Sequence, residues 1–372
     1  MAPGRSSPDG PEASGAEAQV KSGDWKARRD AFVADWTGPT LVASSADYYF
    51  NSYNHYGVHE DVLKDPVTMT SYQRAVKQNA HLFRGAVVLD VCAGLGICSL
   101  LAAQAGAKKV IALESQVELA TMGERLSRHN GFGQDVVEFV RGDVFSLECL
   151  PDGLECVDIV ISEWMGYFMM YEARLADVLH ARDRWLRTPG GLLFPDRARL
   201  RGAILEDAAY RDNHFSYFKQ VWGFNFSAMQ EPAHRDPVVH HFDAQQLLST
   251  SACALDLDLH RCTAEDCFQM GAAFDVQCKR DGKAHALIFW FEVLFEACHK
   301  PVSFSTDPES VPTCWKQTAF FLAGPQLSVK RNERVRCMVA VRKGSKDRRH
   351  LDIKLSCRLD ANRHKVQFFR WS

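Results

Sequence analysis

Apolar positions along this chain change their period twice, and each change marks a boundary. Through residues 44–79 (SSADYYFNSYNHYGVHEDVLKDPVTMTSYQRAVKQN) acidic, aromatic and small residues suggest helices, with breaks expected near Gly57 and Pro66. From Gly85 onward, short β-rich runs alternate with helical segments: VVLDV, a helix from about Ile97 to Gln104, KKVIAL, a helix from Val117, then DVVEFV and VDIVISE. This alternation predicts an α/β, doubly wound parallel sheet of Rossmann type. Past Gly190 the helical period is lost. GLLFP, LRGAIL, FDVQCK, HALIFWFEV, TAFFL, RCMVAV and LDIKLSC read as strands of alternating polarity, which predicts a mostly antiparallel, barrel-like second domain. Within it, residues 207–230 carry the run YRDNHFSYFKQVWGFNF, with more rings than a surface loop normally exposes, so a partner surface is expected there.

The expected organisation is therefore a flexible tail over residues 1–45, an α/β domain with N-terminal helices over 46–195, and a β-barrel domain over 196–372. Pro, Gly, Ala and Ser dominate the first 22 residues, a composition that buries too little apolar surface to offset ordering entropy. A length of 372 residues suits about two domains. With 46% apolar and 24% charged residues, the bulk of the chain belongs to the ordinary globular class. A formal net charge of −2 gives no global reason for nucleic acid or an anionic membrane as partner. The N-terminus has neither the basic nor the apolar region of a secretory signal. The most apolar stretch, His285–Phe295, is well short of the roughly 20 residues a membrane helix needs, so no membrane partner is expected. Twelve cysteines without CxxC pairs or His/Cys clusters predict no metal site and reduced thiols, hence a cytoplasmic protein, with the nucleus as the alternative.

Two constellations point to chemistry. In VVLDVCAGLG a buried strand runs into a glycine-containing turn and then a helix, an arrangement that brings backbone amides close to a nucleotide-like ligand. A second strand ends at Glu114, about 20 residues on, where a carboxylate could accept hydrogen bonds from ribose hydroxyls. A plain βαβ unit whose glycines only make turns would fit these residues as well. In SEWMGYFMMYE, Glu163 and Glu172 flank a Met-Gly-Tyr turn just after a strand. Two acids on one loop can clamp a guanidinium bidentately, because arginine stays cationic and offers a planar fork of donors. An isolated pair of acids on a solvated loop would read the same way; the preceding nucleotide-type unit favours the clamp.

With DYYFNSYNHYGVHEDVLKD, VVLDVCAGLG, SEWMGYFMMYE, GLLFPDRA and FSTDPESVPTCWKQT taken together, the chain resembles the protein arginine methyltransferases from about Asp47 to its C-terminus, most strongly the asymmetric-dimethylating branch. The resemblance implies a class I methyltransferase domain binding S-adenosylmethionine, a β-barrel, and a dimerisation arm near 207–230. It also implies roles for residues. Tyr49, Phe50 and Tyr53 match the helix that covers the methyl donor. Asp90, Gly94 and Gly96 match the glycine-loop positions, Glu114 the ribose-binding acid, and Glu163 and Glu172 the catalytic clamp.

Six positions depart from the family pattern. Thr68 stands where an arginine grips the donor's carboxylate, Cys92 replaces the first loop glycine, and Phe145 replaces the acid that accepts the adenine amino group. Cys314 replaces a histidine expected to pair with Asp65, while Val62 and Arg174 replace two methionines of the acceptor pocket. Arg174 is expected to pair with the clamp acids and repel an incoming arginine. Losing the arginine contact alone would cost roughly 2–5 kcal/mol of donor binding. These departures lead to the expectation of weak or lost S-adenosylmethionine binding and of a prozyme-like, non-catalytic regulatory subunit. Such a chain would pair through the arm with a catalytic arginine methyltransferase paralogue and activate it toward arginine-bearing protein substrates. The alternative is an active type I arginine N-methyltransferase. A further alternative is an RNA-associated protein using Lys330–Arg349, which holds nine Lys or Arg residues against two acids.

Overall fold

The structure, a computed structural model, describes residues 56–371 except 172, 264–265, 267–268 and 344–349. The proposed donor-covering residues Tyr49, Phe50 and Tyr53, and the proposed clamp acid Glu172, lie outside the described residues.

Three helices lead in: α1 (Tyr56–Lys64), α2 (Pro66–Gln78) and α3 (Ala80–Phe83). Gly57 sits inside α1 and makes no break there. Pro66 does mark one, because Asp65 caps α2 and proline at the first helical position needs no amide partner. There follow β1 (Val87–Val91), α4 (Ile97–Gln104), β2 (Lys109–Glu114), α5 (Val117–His129), β3 (Val137–Arg141), β4 (Ile159–Ile161), α6 (Leu175–Trp185) and β5 (Leu192–Phe194). The five strands make a parallel sheet in the order β3-β2-β1-β4-β5. Their near-continuous apolar sequences follow from burial on both faces.

From β6 (Arg197–Leu205) onward all the named strand pairings are antiparallel. The inserted segment contains α7 (Ala208–His214), two short 3₁₀ turns at Ser216–Lys219 and Ser227–Met229, and α8 (Gln230–Ala233). The strands β7 (Val238–His240), β8 (Ala252–Asp258), β9 (Gln269–Gln277), β10 (Gly282–Ala284), β11 (Ala286–Phe295), β12 (Val302–Ser305) and β13 (Gln317–Phe321) come next. The last are β14 (Leu327–Val329), β15 (Arg334–Lys343), β16 (Leu351–Arg358) and β17 (His364–Trp371). One sheet runs β7-β13-β11-β6-β8, with β12 on β11, and another runs β17-β16-β15-β9. This is the Rossmann-like sheet plus barrel-like antiparallel sheets that the patterning predicts.

One core continues through both parts. Tyr72 of α2 meets Phe295 edge-on at 5.0 Å, and Phe168 sits 5.2 Å from Phe289 and 5.1 Å from Phe320. Polar seams fix the register: Asn79 donates to the Lys300 carbonyl (2.9 Å) and accepts from its amide (2.8 Å), while Asp196 accepts from the Glu296 and Ala297 amides. Ser162 and Phe168, on either side of the proposed clamp acid Glu163 and its Met-Gly-Tyr turn, are thereby tied to the parallel sheet and to the barrel.

Candidate active site

At the C-terminal end of β1 the chain turns through three residues with positive φ, Cys92 (59°), Gly94 (56°) and Gly96 (84°), before α4 begins. Gly96 has no room for a side chain, since a Cβ there would lie 2.7 Å from the Phe139 ring. The Gly94 amide donates to Glu114 Oε2 (2.8 Å), and Glu114 Oε1 accepts from the Gln116 amide (2.8 Å). Glu114 therefore braces the loop from the end of β2, where open α/β sheets bind ligands. His59 of α1 stands over Gly94, 3.7 Å from where a Cβ would be. The sequence reading passed over this histidine, because only its place on a helix crossing the loop marks it. Asp90 is buried beneath the turn, accepts from Ser99 Oγ (2.6 Å), and is pushed by burial up to about 7.

Cys92 directs its thiol to Asp177 Oδ2 (3.3 Å), and Arg174 Nη1 lies 3.4 Å from the same oxygen. Arg174 and Asp177 thus tie the donor-side loop to the start of α6. Phe145, four residues past β3, is 55% exposed and leans on the His180 ring at 4.6 Å.

The second wall is a tight hairpin after β4. Ser162 donates to the Val91 carbonyl (2.6 Å), and the Tyr72 hydroxyl donates to the Ser162 carbonyl (2.8 Å). A Cβ at Gly166 would fall 1.8 Å from the Tyr171 carbonyl oxygen, so only glycine closes this turn. Phe168 and Met169 hold positive φ (56° and 64°) within this turn, with both side chains buried. The Arg174 amide donates to the Trp164 carbonyl (2.8 Å), and Tyr171 stacks on Trp371 at 4.3 Å.

Glu163 follows Ser162 on this turn, within electrostatic reach of Asp65 and Asp90. Its Oε1 is sealed from solvent and has no hydrogen-bond partner among the described residues. Burial, followed by the charges of Asp65 and Asp90, pushes its carboxyl up to about 8. Such a group is stabilised as an anion by a cation, and guanidinium is the side-chain cation that offers a matching fork.

Asp65 closes the site. Its Oδ1 accepts from the Val67 and Thr68 amides (2.9 and 3.1 Å), and its Oδ2 accepts from Thr68 Oγ1 (3.2 Å) and the Cys314 amide (2.9 Å). Thr68 is fully buried and turned to this cap, while Val62 is half-buried on α1. Burial, then Asp65, holds the Cys314 thiol far above its ordinary range. Asp65, read from the sequence as left without its partner, is in fact fully engaged by backbone and hydroxyl donors.

Residues 196–362 match the family profile of the arginine methyltransferase oligomerization subdomain. Protein arginine N-methyltransferase 1 of Caenorhabditis elegans is 41% identical over 313 residues, which span 84% of this chain and 88% of the relative. The enzyme of that name from Schizosaccharomyces pombe is also 41% identical, over 84% of this chain and 90% of its own length. The chain belongs to the protein arginine N-methyltransferase family. Among solved structures, the Trypanosoma brucei PRMT1 enzyme–prozyme heterotetrameric complex with AdoHcy superimposes with a TM-score of 0.81 at 35% identity, covering 86% of this chain and 100% of the matched chain. Arabidopsis thaliana protein arginine methyltransferase 10 follows at 0.74 and 26%, covering 87% and 99%.

This family standing corrects the expectation of a non-catalytic, prozyme-like subunit. Relatives matching most of the chain at 41% identity carry the name of arginine N-methyltransferases, and they favour the alternative of an active enzyme. S-adenosylmethionine is the family's methyl donor. The glycine turn braced by Glu114 stands at the C-terminal end of β1, with no side chain at Gly94 between it and His59, so the residues present suit a nucleoside there. No helix among the described residues is long and apolar enough to cross a membrane.

Proposed function

We propose that this chain is a protein arginine N-methyltransferase of the asymmetric-dimethylating type. The observation that carries the reading is Glu163, a carboxyl with one buried, unpartnered oxygen, within electrostatic reach of Asp65 and Asp90. S-adenosylmethionine, when bound, supplies an electrophilic methyl group. Glu114 would hold its ribose, with the loop at Gly94 and Gly96 beside it and His59 above. Glu163 would meet the substrate guanidinium, ionise on contact with it, and orient one nitrogen. Glu172, the second proposed clamp acid, would share that charge. Among the departures, Thr68 is committed to the α2 cap and Phe145 offers a ring rather than an acid, so donor affinity is expected to be weak for the family.

We further infer that the working form is an oligomer with a second arginine methyltransferase chain. Trp222 is 91% exposed and Phe224 69%, two large rings close together on the inserted arm, the kind of apolar surface a partner chain covers. The neighbouring trypanosomal structure is of an enzyme–prozyme heterotetramer. No RNA role is proposed for Lys330–Arg349. Its residues 344–349 are outside the described set, and Lys330, Arg336 and Arg342 already pair with Asp281, Asp275 and Asp352.

The test is methyl transfer from S-adenosylmethionine to an arginine- and glycine-rich protein, read as mono- and asymmetric dimethylarginine by mass spectrometry. Turnover that disappears in Glu163→Gln supports the reading. Turnover unchanged in that variant overturns the role of Glu163.

A further inference from the structure

The sheet β17-β16-β15-β9 has an outer face that departs from the rule for a one-sided antiparallel sheet. Its inner face packs Val339, Val341, Ile353 and Leu355 into the core, so the alternate positions should be polar. They are not. The register lines up Gly271, Ala340, Lys354 and Phe368 in one row, and Ala273, Met338, Ser356 and Val366 in the next. Phe368 is 65% exposed, Met338 52% and Val366 45%. Apart from Lys354 and Ser356, these two adjacent rows are small or apolar and face outward, where isolated apolar residues would be unremarkable but a contiguous group is not.

The band is bounded by a wall. Residues 231–236, at the base of the inserted arm, run beside the β17 edge and are anchored to it. The Arg370 amide donates to the Arg235 carbonyl (3.2 Å), and Gln367 Nε2 donates to the His234 carbonyl (2.8 Å) and the Phe321 carbonyl (3.2 Å). Between wall and sheet lies a cavity of about 1450 Å³. It is open to solvent, so an extended chain can lie in it. Its charge selects the polymer's sign. Arg235, Arg342, Lys354, Lys365 and Arg370 line it against only Glu231, Asp236 and Asp352, in a chain whose net charge is −2.

Nucleic acid fits these details less well than peptide. Lys354 Nζ lies 5.3 Å over the Phe368 ring and covers a face on which a base would stack. Arg342 and Arg370 both pair with Asp352, and Arg235 pairs with Glu231, which leaves no open row of cations to follow a phosphate backbone. The apolar rows instead suit side chains at every second position of an extended peptide, with carboxylates alternating toward Lys354 and the rim.

We infer that this groove docks an extended acidic peptide of a partner protein, with large apolar side chains seated on Ala340, Met338 and Val366 and acids facing Lys354 and Lys365. It lies on the barrel's outer face, and the inference stands whether or not the chain transfers methyl groups.

The test uses the full-length protein and a short fluorescein-labelled peptide alternating Asp or Glu with Phe and Leu, read by fluorescence anisotropy. Saturable binding is expected, weakened at least about tenfold by Lys354→Glu and likewise by Ala340→Trp, which fills the floor of the groove. Both positions face solvent, and unchanged circular dichroism melting curves would show that the variants fold. Absence of saturable binding, or equal affinity for both variants, overturns the inference. So does tighter binding of labelled oligouridine than of the peptide, which would make this a nucleic-acid face.

Discussion

Cys314 and Asp65, 249 residues apart in the chain, are joined by a 2.9 Å hydrogen bond from the Cys314 amide to Asp65 Oδ2. The same carboxylate caps α2, so one buried side chain fastens the lead-in helices to the barrel loop. Asp65→Ala removes a cap worth about 1 kcal/mol and strands the donors facing it, for a total loss of roughly 2–4 kcal/mol. Urea denaturation of the two proteins would measure it, and a change below about 0.5 kcal/mol would contradict the account.

Glu163 gives the protein a pH signature. Its carboxyl is raised from 4.5 to about 8 in the fold, so between those values the folded state holds a proton that the unfolded chain has lost. The stability it contributes is complete below pH 4.5 and falls away as pH rises through about 8. Asp90, raised to about 7, acts in the same direction. Glu163→Gln should therefore flatten part of this fall and make the variant the more stable protein at pH 9, as denaturation at several pH values would show.

Binding of an arginine substrate must remove that proton. Titration calorimetry of an arginine peptide at pH 7 in buffers of different ionisation enthalpy should report proton release near one per site, absent in Glu163→Gln. Equal release in both proteins would place the proton elsewhere.

Cys92 holds φ at 59°, a conformation costing roughly 1–2 kcal/mol for a residue with a Cβ, and recovers part of it through its thiol contact with Asp177. Cys92→Gly should leave stability within about 1 kcal/mol and tighten S-adenosylhomocysteine binding, measured by calorimetry. Weaker binding would show that the thiol supports the loop.

Gly166→Ala puts a Cβ onto the Tyr171 carbonyl, so the hairpin carrying Glu163 must open. A stability loss of about 1–3 kcal/mol and loss of methyl transfer are expected, read by thermal melting and product mass.

The parallel sheet, the barrel and the inserted arm were legible because strand and helix periods write themselves locally, as in VVLDV and HALIFWFEV. The place of Glu114 at the end of the second strand was legible as well, but its bond with the Gly94 amide was not. What distant segments do to each other was not. Asp65 was read as having lost its partner when a histidine was absent, yet the Cys314 backbone supplies the donor that the side chain does not. The contact of Arg174 with Asp177, three residues on and one turn of helix away, could have been read from spacing. Substitutions at Thr68, Cys92 and Phe145 are visible in sequence, and they were given more weight than the retained Glu163, whose buried, unpartnered oxygen no sequence pattern shows.

The most direct test of the central claim is methyl transfer by this chain purified in complex with a paralogous arginine methyltransferase whose own clamp acid has been changed to glutamine. The account predicts methylarginine formation that is lost, by about 100-fold or more, when Glu163→Gln is added to this chain. No product above background from that complex, with full activity restored by an intact partner, would contradict it.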